Sequence, residues 1–323
     1  MKAMAQSGTG PFKRLRLDLS LAIVGLLLAA VIAAGFVLSD RFGTVRNFSN
    51  VLEQAAALGF ASLGQALVVI SGGIDLSIGA VVTASTVLMA SIVEAHPALM
   101  VPMIALTLFF GASIGFINGY VTIRTGVHPL IVTLGTASIL NGAVLIFTLQ
   151  PTGGVPFWFE EFAYGRIFGV LPISGLVMLI CFAGVWVVLR YTETGRALYA
   201  VGGSPEAARL SGLRSNRIIL TAYCSSGFFA AMAGIYFVSR TGVGDPRVGD
   251  PITLASITPV ILGGLLLGGG KGNVLGVLLG VFLIALLGNL LNYMNISTFI
   301  QWVIQGLIII FAVSIYVDKR KTL

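Results

Sequence analysis

Between two apolar runs the sequence reads LVVISGGIDLSIG, from Leu67 to Gly79, and the carboxylate of Asp75 is the only ionisable group in that stretch. Gly72 and Gly73 interrupt the run, because paired glycines lose backbone entropy and bring no side chain to pack. Asp75 followed by Leu76 and Ser77 suits the cap of a second helix. A carboxylate at the bilayer centre costs about 2.5–3.5 kcal/mol on insertion scales, so one that persists there commonly lines a pathway. Both duties stay open for Asp75, and Gly72, Gly73 and Ser77 share either one.

Other chemistry-bearing residues are scattered through apolar runs: Gln65, Asn118, Thr133, Asn141, Asn289, Asn292, Gln301 and Gln305. Such groups either bond across helices or face a wet path; Asn118, Thr133 and Asn141 are the path candidates beside the Asp75 break. Gly111-Ala112-Ser113-Ile114-Gly115 has the outline of a hydrolase nucleophile motif. It lies inside an apolar run, however, and Gly111, Gly115 and Gly119 fall on one helical face, which points to close helix approach. Gly270-Lys271 fails as a phosphate loop: that motif requires glycine where Leu265 stands and Ser or Thr where Gly272 stands. His96 and His128 have no metal-ligand companions, so no metal site is expected. No catalytic residue and no cofactor are assigned.

The polar stretch RYTETGRALYAVGGSPEAARLSGLRSN, ending at Asn216, carries helix punctuation. Ser204 can cap, Pro205 suits the first helical position, Glu206 complements the helix dipole and Gly212 can end the helix. A short helix is expected there, flanked by Arg209, Arg214 and Arg217. It either anchors to lipid headgroups or docks a soluble partner.

The elements that must position these residues are membrane helices. Of 323 residues 57% are hydrophobic and 10% charged, against about 45–50% and 25% in soluble domains. Apolar runs predict ten spans, near 18–38, 51–70, 77–94, 100–120, 129–149, 171–190, 217–238, 255–268, 274–292 and 298–317. The net charge of +7 does not indicate nucleic-acid binding, because the basic residues border apolar runs. With the amino terminus inside, fourteen of the 19 Lys and Arg residues fall on the inner side, which is the positive-inside pattern. Residues 1–323 are therefore read as one transmembrane domain with cytoplasmic tails at 1–17 and 318–323 and a cytoplasmic loop at 191–216. The first run is too long for the core of a cleaved signal peptide. Cys181 and Cys224 lie in apolar runs as small buried residues. Ten spans also divide into two sets of five with opposite orientations, a possible inverted repeat.

Three ordered stretches carry a resemblance to a known family: SGGIDLSIG at Ser71 to Gly79, FINGYVTIRTGVHPLIVTLGTASILNG at Phe116 to Gly142, and GGSPEAARLSGL at Gly202 to Leu213. Over essentially its whole length the chain resembles the permease subunits of bacterial ABC importers for ribose, xylose and similar sugars. The resemblance implies an all-α, type II-like importer permease in the cytoplasmic (inner) membrane that alternates between inward-open and outward-open forms. It also implies a second permease chain, identical or not, and two cytoplasmic ATP-binding subunits or a fused tandem ATPase. A periplasmic sugar-binding protein would deliver the small sugar substrate. By the same resemblance Gly203, Ser204, Pro205, Glu206, Ala207, Arg209, Leu210 and Gly212 couple to the ATPase. Asn141 stands where arginine is common in that family and His128 where proline or a small apolar residue is common, which leaves the substrate open. Alternatives are a permease for branched-chain amino acids or nucleosides, an ion-coupled secondary transporter using carboxylates as relays, and an intramembrane hydrolase built on Ser113.

Overall fold

The computed structural model describes residues 19–316; the two expected tails lie outside the described residues. The described chain is mostly α-helical, with one hairpin of two-residue strands. In order the helices are α1 (Leu19–Leu38), α2 (Val45–Ile70), α3 (Ile78–Ala95), α4 (Met100–Thr125), α5 (Pro129–Phe147), α6 (Glu160–Tyr164), α7 (Ile173–Tyr191), α8 (Glu193–Gly203), α9 (Pro205–Leu210), α10 (Ser215–Thr241), α11 (Asp250–Leu262), α12 (Val274–Tyr293) and α13 (Thr298–Tyr316). Each of the ten expected spans corresponds to a helix. Eight described helices are long and apolar enough to cross a membrane, and α11 and the Thr298–Ile308 stretch of α13 are shorter apolar segments. The protein is an all-α, multi-pass membrane protein.

At the centre, α2 and α10 pack along each other, with α10 also lying on α4 and α3. Glycines set the separation. A Cβ added at Gly111 of α4 would collide with the Gly227 carbonyl of α10, and one at Gly115 with the Tyr223 carbonyl. The four-residue glycine spacing of α4 is thus a packing seam, as the sequence pattern indicates. Ser113 Oγ is spent on a bond to the Phe109 carbonyl within its own helix, 2.8 Å away.

Packing repeats between the two sets of five spans. In the first set α3 lies on α4 and α5, and in the second α11 lies on α12 and α13. The long helices exchange partners: α10 packs on α3 and α4, and α2 on α11 and α12. Each long central helix is followed by a non-helical segment and a shorter helix. Non-helical backbone at bilayer depth is tolerated only where protein surrounds it or it lines a wet cavity.

The two interruptions are built differently. After α2, residues 71–77 turn at Gly72, whose φ of +91° favours glycine, and lead into α3. After α10, residues 242–249 descend beside α3. Gly244 lies against Thr86 and Val87, and the Gly249 amide donates to Thr83 Oγ1 at 3.0 Å. Helix α11 therefore begins beside the first turns of α3, about 24 Å along α3 from its far end at Ala95. This places α11 at residues 250–262 rather than the expected 255–268. Its Pro251 supplies a favourable first-turn residue.

Glycines 264, 268, 272, 276 and 280 do not form one helical stripe. Gly276 and Gly280 belong to α12 and abut Gly263 and Pro259, whereas Gly264, Gly269, Gly270 and Gly272 take positive φ in the preceding turn. Helix α8 is not marked by the sequence pattern. Thr192 caps it by accepting from the Gly195 amide, and α8 brings Gly202 against the Ile70 carbonyl. At the opposite end the hairpin β1 (Arg166–Ile167) and β2 (Leu171–Pro172) is tied to α2. Arg166 Nη2 donates to Asn50 Oδ1 at 2.6 Å and lies 3.5 Å from Glu53. Replacing Gly115 by leucine is expected to destabilise the protein by on the order of 3 kcal/mol or more through overpacking against α10, read as a lower melting temperature and reduced monodisperse yield in detergent; Gly184→Leu on α7, where an added Cβ meets nothing within 4 Å, is expected to leave both unchanged.

Candidate functional site

The break after α2 is where sequence-marked residues converge. Asp75 is 1% exposed. Its Oδ1 accepts from the Ser77 amide at 2.9 Å and from Ser77 Oγ at 2.6 Å, and its Oδ2 accepts from Ser226 Oγ of α10 at 2.7 Å. Asn118 of α4 donates to Ser77 Oγ at 2.9 Å and accepts from Thr136 Oγ1 of α5 at 2.6 Å. Thr133 Oγ1 of α5 accepts from the Leu76 amide at 3.1 Å and donates to the Pro129 carbonyl at 3.0 Å. One carboxylate thus joins α3, α4, α5 and α10 through a short polar chain.

These contacts refine the cap reading. Ser77 holds the N-cap position of α3, and its side chain makes no capping bond to the helix. Asp75 stands two residues earlier and binds the Ser77 amide, so it closes the turn that feeds the helix. Three acceptor bonds offset part of its desolvation, since hydrogen bonds to charged groups contribute roughly 1.5–3 kcal/mol each. Tyr223 and Ser226 on α10 and Thr136 on α5 complete the corner. The sequence gives no signal for Ser226, which lies 151 residues from its partner. Asn141 lies more than a turn further along α5 and makes no side-chain hydrogen bond among the described residues, so the structure does not bring it into this corner.

Several polar residues flagged in apolar runs have other duties. Asn47 and Asn289 exchange bonds of 3.1 and 2.9 Å between α2 and α12, and Tyr293 adds a third at 3.2 Å. Gln301 donates to Asn292 at 2.8 Å. Both amide atoms of Gln65 are buried without a hydrogen-bond partner in the described structure.

A second constellation lies on the face that carries α8 and α9. Ser204 Oγ accepts from the Ala207 amide at 3.3 Å, Pro205 occupies the first turn, and Gly212 takes a φ of +82° just past the end. Gly203, Glu206, Ala207, Arg209 and Leu210 are exposed, while Ala208 is buried. Leu210 is 79% exposed. This short helix is pinned from below by Ser215 Oγ, which donates to the Pro205 carbonyl at 3.3 Å.

The two constellations meet through backbone. The Gly270 amide donates to the Ile70 carbonyl, the last of α2, at 2.9 Å. Gly202 and Gly203 pack against Gly270, and Gly72 packs against Gly269. Tyr199 of α8 adds a bond to the Gly272 carbonyl at 3.0 Å; burial pushes its phenol above the ordinary range, which keeps the donor proton in place. Side chains larger than hydrogen at Gly202 would strike the Ile70 carbonyl, so the end of α8 and the start of the break cannot move independently.

Removing the Asp75 carboxylate by substitution with alanine is expected to leave the Ser77 amide and the O–H groups of Ser77 and Ser226 without their acceptor. The expected loss is about 1–3 kcal/mol, measured as a shift in thermal unfolding of the purified protein. Combining Asp75→Ala with Ser226→Ala is expected to lose clearly less than the sum of the single effects, because the partners share one interaction.

A family model described as branched-chain amino acid transport system / permease component matches residues 47–313. The ribose import permease protein of Bacillus subtilis (strain 168) is 34% identical over 304 residues, covering 93% of this chain and 92% of the relative. The ribose import permease protein of Escherichia coli (strain K12) is 33% identical over 326 residues, covering 99% and 100%. The fructose import permease protein of Rhizobium meliloti is 32% identical over 309 residues, covering 92% and 84%. No solved structure gives a significant match. Matched along nearly all of its described length, the chain belongs to the family of branched-chain amino acid transport system permease components.

Proposed function

We propose that this chain is the membrane permease of an ATP-driven importer and forms the translocation path for a monosaccharide in the bacterial inner membrane. The observation that carries the reading is the joint between α9, α8 and the Asp75 corner: an exposed short helix is connected through Gly202, Gly203 and Gly270 to the interrupted central helix. Force applied to α9 by a soluble partner reaches the break without crossing lipid. The import permeases similar to this chain act on ribose and fructose by name, which favours a monosaccharide over a branched-chain amino acid.

In this reading residues 191–216 are the cytoplasmic coupling loop, both tails are cytoplasmic, and residues 1–323 form one permease domain. Gly203, Ser204, Pro205, Glu206, Ala207, Arg209, Leu210 and Gly212 form the contact with the ATPase. Two ATP-binding subunits, separate or fused, hydrolyse the nucleotide, and this chain does not. A second permease chain completes the path, and a periplasmic binding protein delivers the sugar to the opposite face. Gly72, Gly73, Asp75, Ser77, Asn118 and Thr133 set the hinge beside the path, and Asn141 extends that face along α5.

The mechanism follows from stiffness. Helix α9 is too short to hold its shape alone, and its cap, its Pro205 and the Ser215 tether supply that shape. Closure of the ATPase pair displaces α9. The Gly202–Ile70 contact passes the displacement to residues 71–77, and the polar bonds of Asp75 carry it into α3, α4, α5 and α10. Replacing Glu206 and Arg209 together by alanine is expected to reduce ATP-driven sugar uptake by at least about tenfold, equivalent to roughly 1.4 kcal/mol of lost coupling, with membrane insertion and melting temperature unchanged. Uptake at the unaltered rate in that double variant contradicts the docking role of α9.

A further inference from the structure

The corner of the second half that corresponds to the Asp75 corner is open. In the first half, α3 follows the break and α5 packs across it, with Thr133 and Thr136 of α5 closing the polar chain. In the second half, α11 follows the break and α13 packs across it. Here a cavity of about 330 Å³ separates the two helices, lined by Asp250, Pro251, Leu254 and Ala255 of α11 and by Trp302, Gln305 and Gly306 of α13. Its size falls within the range of about 300–1,000 Å³ of small-molecule sites.

Asp250 is exposed at the first position of α11, beside the first turns of α3 and far from that helix's outer end. Among the described residues it forms no ion pair and its side chain makes no hydrogen bond. An ionisable group at such depth faces a water-filled path or a partner rather than lipid. Gln305 likewise makes no side-chain hydrogen bond among the described residues. Asp250, Gln305 and the half-exposed Trp302 therefore line one cavity at a helix interruption, the place where transporters with paired halves hold substrate.

We infer that this cavity is a monosaccharide subsite of the translocation path, with Asp250 and Gln305 hydrogen-bonding sugar hydroxyls and Trp302 stacking on the apolar C–H face of the ring. The three groups match a sugar's chemistry: a carboxylate accepts from adjacent hydroxyls, an amide both donates and accepts, and a flat, electron-rich indole complements polarised C–H bonds. The inference rests on the proposed importer function and assigns residues to it that the Asp75 corner does not contain.

The test is uptake of radiolabelled ribose, fructose and their single-deoxy analogues by cells whose only copy of the gene encodes the full-length chain, wild type or variant. Trp302→Ala is expected to cut uptake of the preferred sugar at least tenfold, with Trp302→Tyr restoring most of it. Asp250→Asn and Gln305→Ala are each expected to narrow the preference for the sugar over one particular deoxy analogue, a change of specificity that a misfolded protein does not produce. Val303→Ala, on the exposed neighbouring face of α13 and outside the cavity lining, is the control and is expected to behave as wild type. Wild-type uptake that persists unchanged in Asp250→Asn, Gln305→Ala and Trp302→Ala, or that falls equally for the sugar and every analogue in both Asp250→Asn and Gln305→Ala, overturns the subsite and leaves the importer standing. A wild-type chain that supports no uptake of any monosaccharide overturns both.

Discussion

The structure depends on satisfying one interrupted helix inside a medium that offers no hydrogen bonds. When α2 ends at Ile70, the amides of Ser71, Gly72 and Gly73 still close onto its last turn, but the Ile70 carbonyl and the amides of residues 74–77 have no helical partner, and lipid cannot replace one. The Gly270 amide takes the Ile70 carbonyl, Asp75 takes the Ser77 amide, and Thr133 takes the Leu76 amide. Each partner comes from a different part of the chain. The break therefore fixes the relative positions of the 263–273 turn, the start of α3, and α5. A buried carboxylate bonded to two serine hydroxyls is the element that cannot be deleted without leaving donors stranded.

Small residues make these contacts possible. Gly111, Gly115 and Gly227 let α4 and α10 touch backbone to backbone, and Gly202, Gly203, Gly269 and Gly270 do the same where α8 meets the break. Without a hydrophobic driving force between helices, close packing and hydrogen bonds are what hold a bundle together in lipid. Contacts between backbones also transmit displacement well, because little side-chain freedom lies between them to absorb it. The same feature that stabilises the bundle connects the exposed α9 to the interior.

Much of the fold is legible in the sequence because hydrophobic runs and glycine spacing report directly on lipid exposure and helix approach. The ten runs, the α4 glycine face and the Ser204-Pro205-Gly212 punctuation of α9 all correspond to observed elements. Other features depend on contacts between distant segments. Ser226 looks like any serine in an apolar helix until α10 lies beside the break. Asp250 reads as a loop residue near the outer surface, because nothing local reveals that residues 242–249 descend along α3. The glycines from Gly264 to Gly280 share one four-residue spacing but divide between a turn, where Gly264 and Gly272 take positive φ, and α12, where Gly276 and Gly280 abut α11 and its end, and spacing alone does not separate the two uses. Helix α8, short and with polar ends, draws its stability from packing on α7, α10 and the glycine turn rather than from its own pattern.

In the proposed function, ATP hydrolysis on the face bearing α9 moves sugar past the Asp75 break. The most direct measurement is sugar accumulation in proteoliposomes holding the full-length chain with its ATPase and binding-protein partners, with ATP on the α9 side and ion gradients collapsed by ionophores. Accumulation is expected to require hydrolysable ATP and to be indifferent to the ionophores. Accumulation that proceeds without ATP and vanishes when the gradients are collapsed would contradict the proposed function.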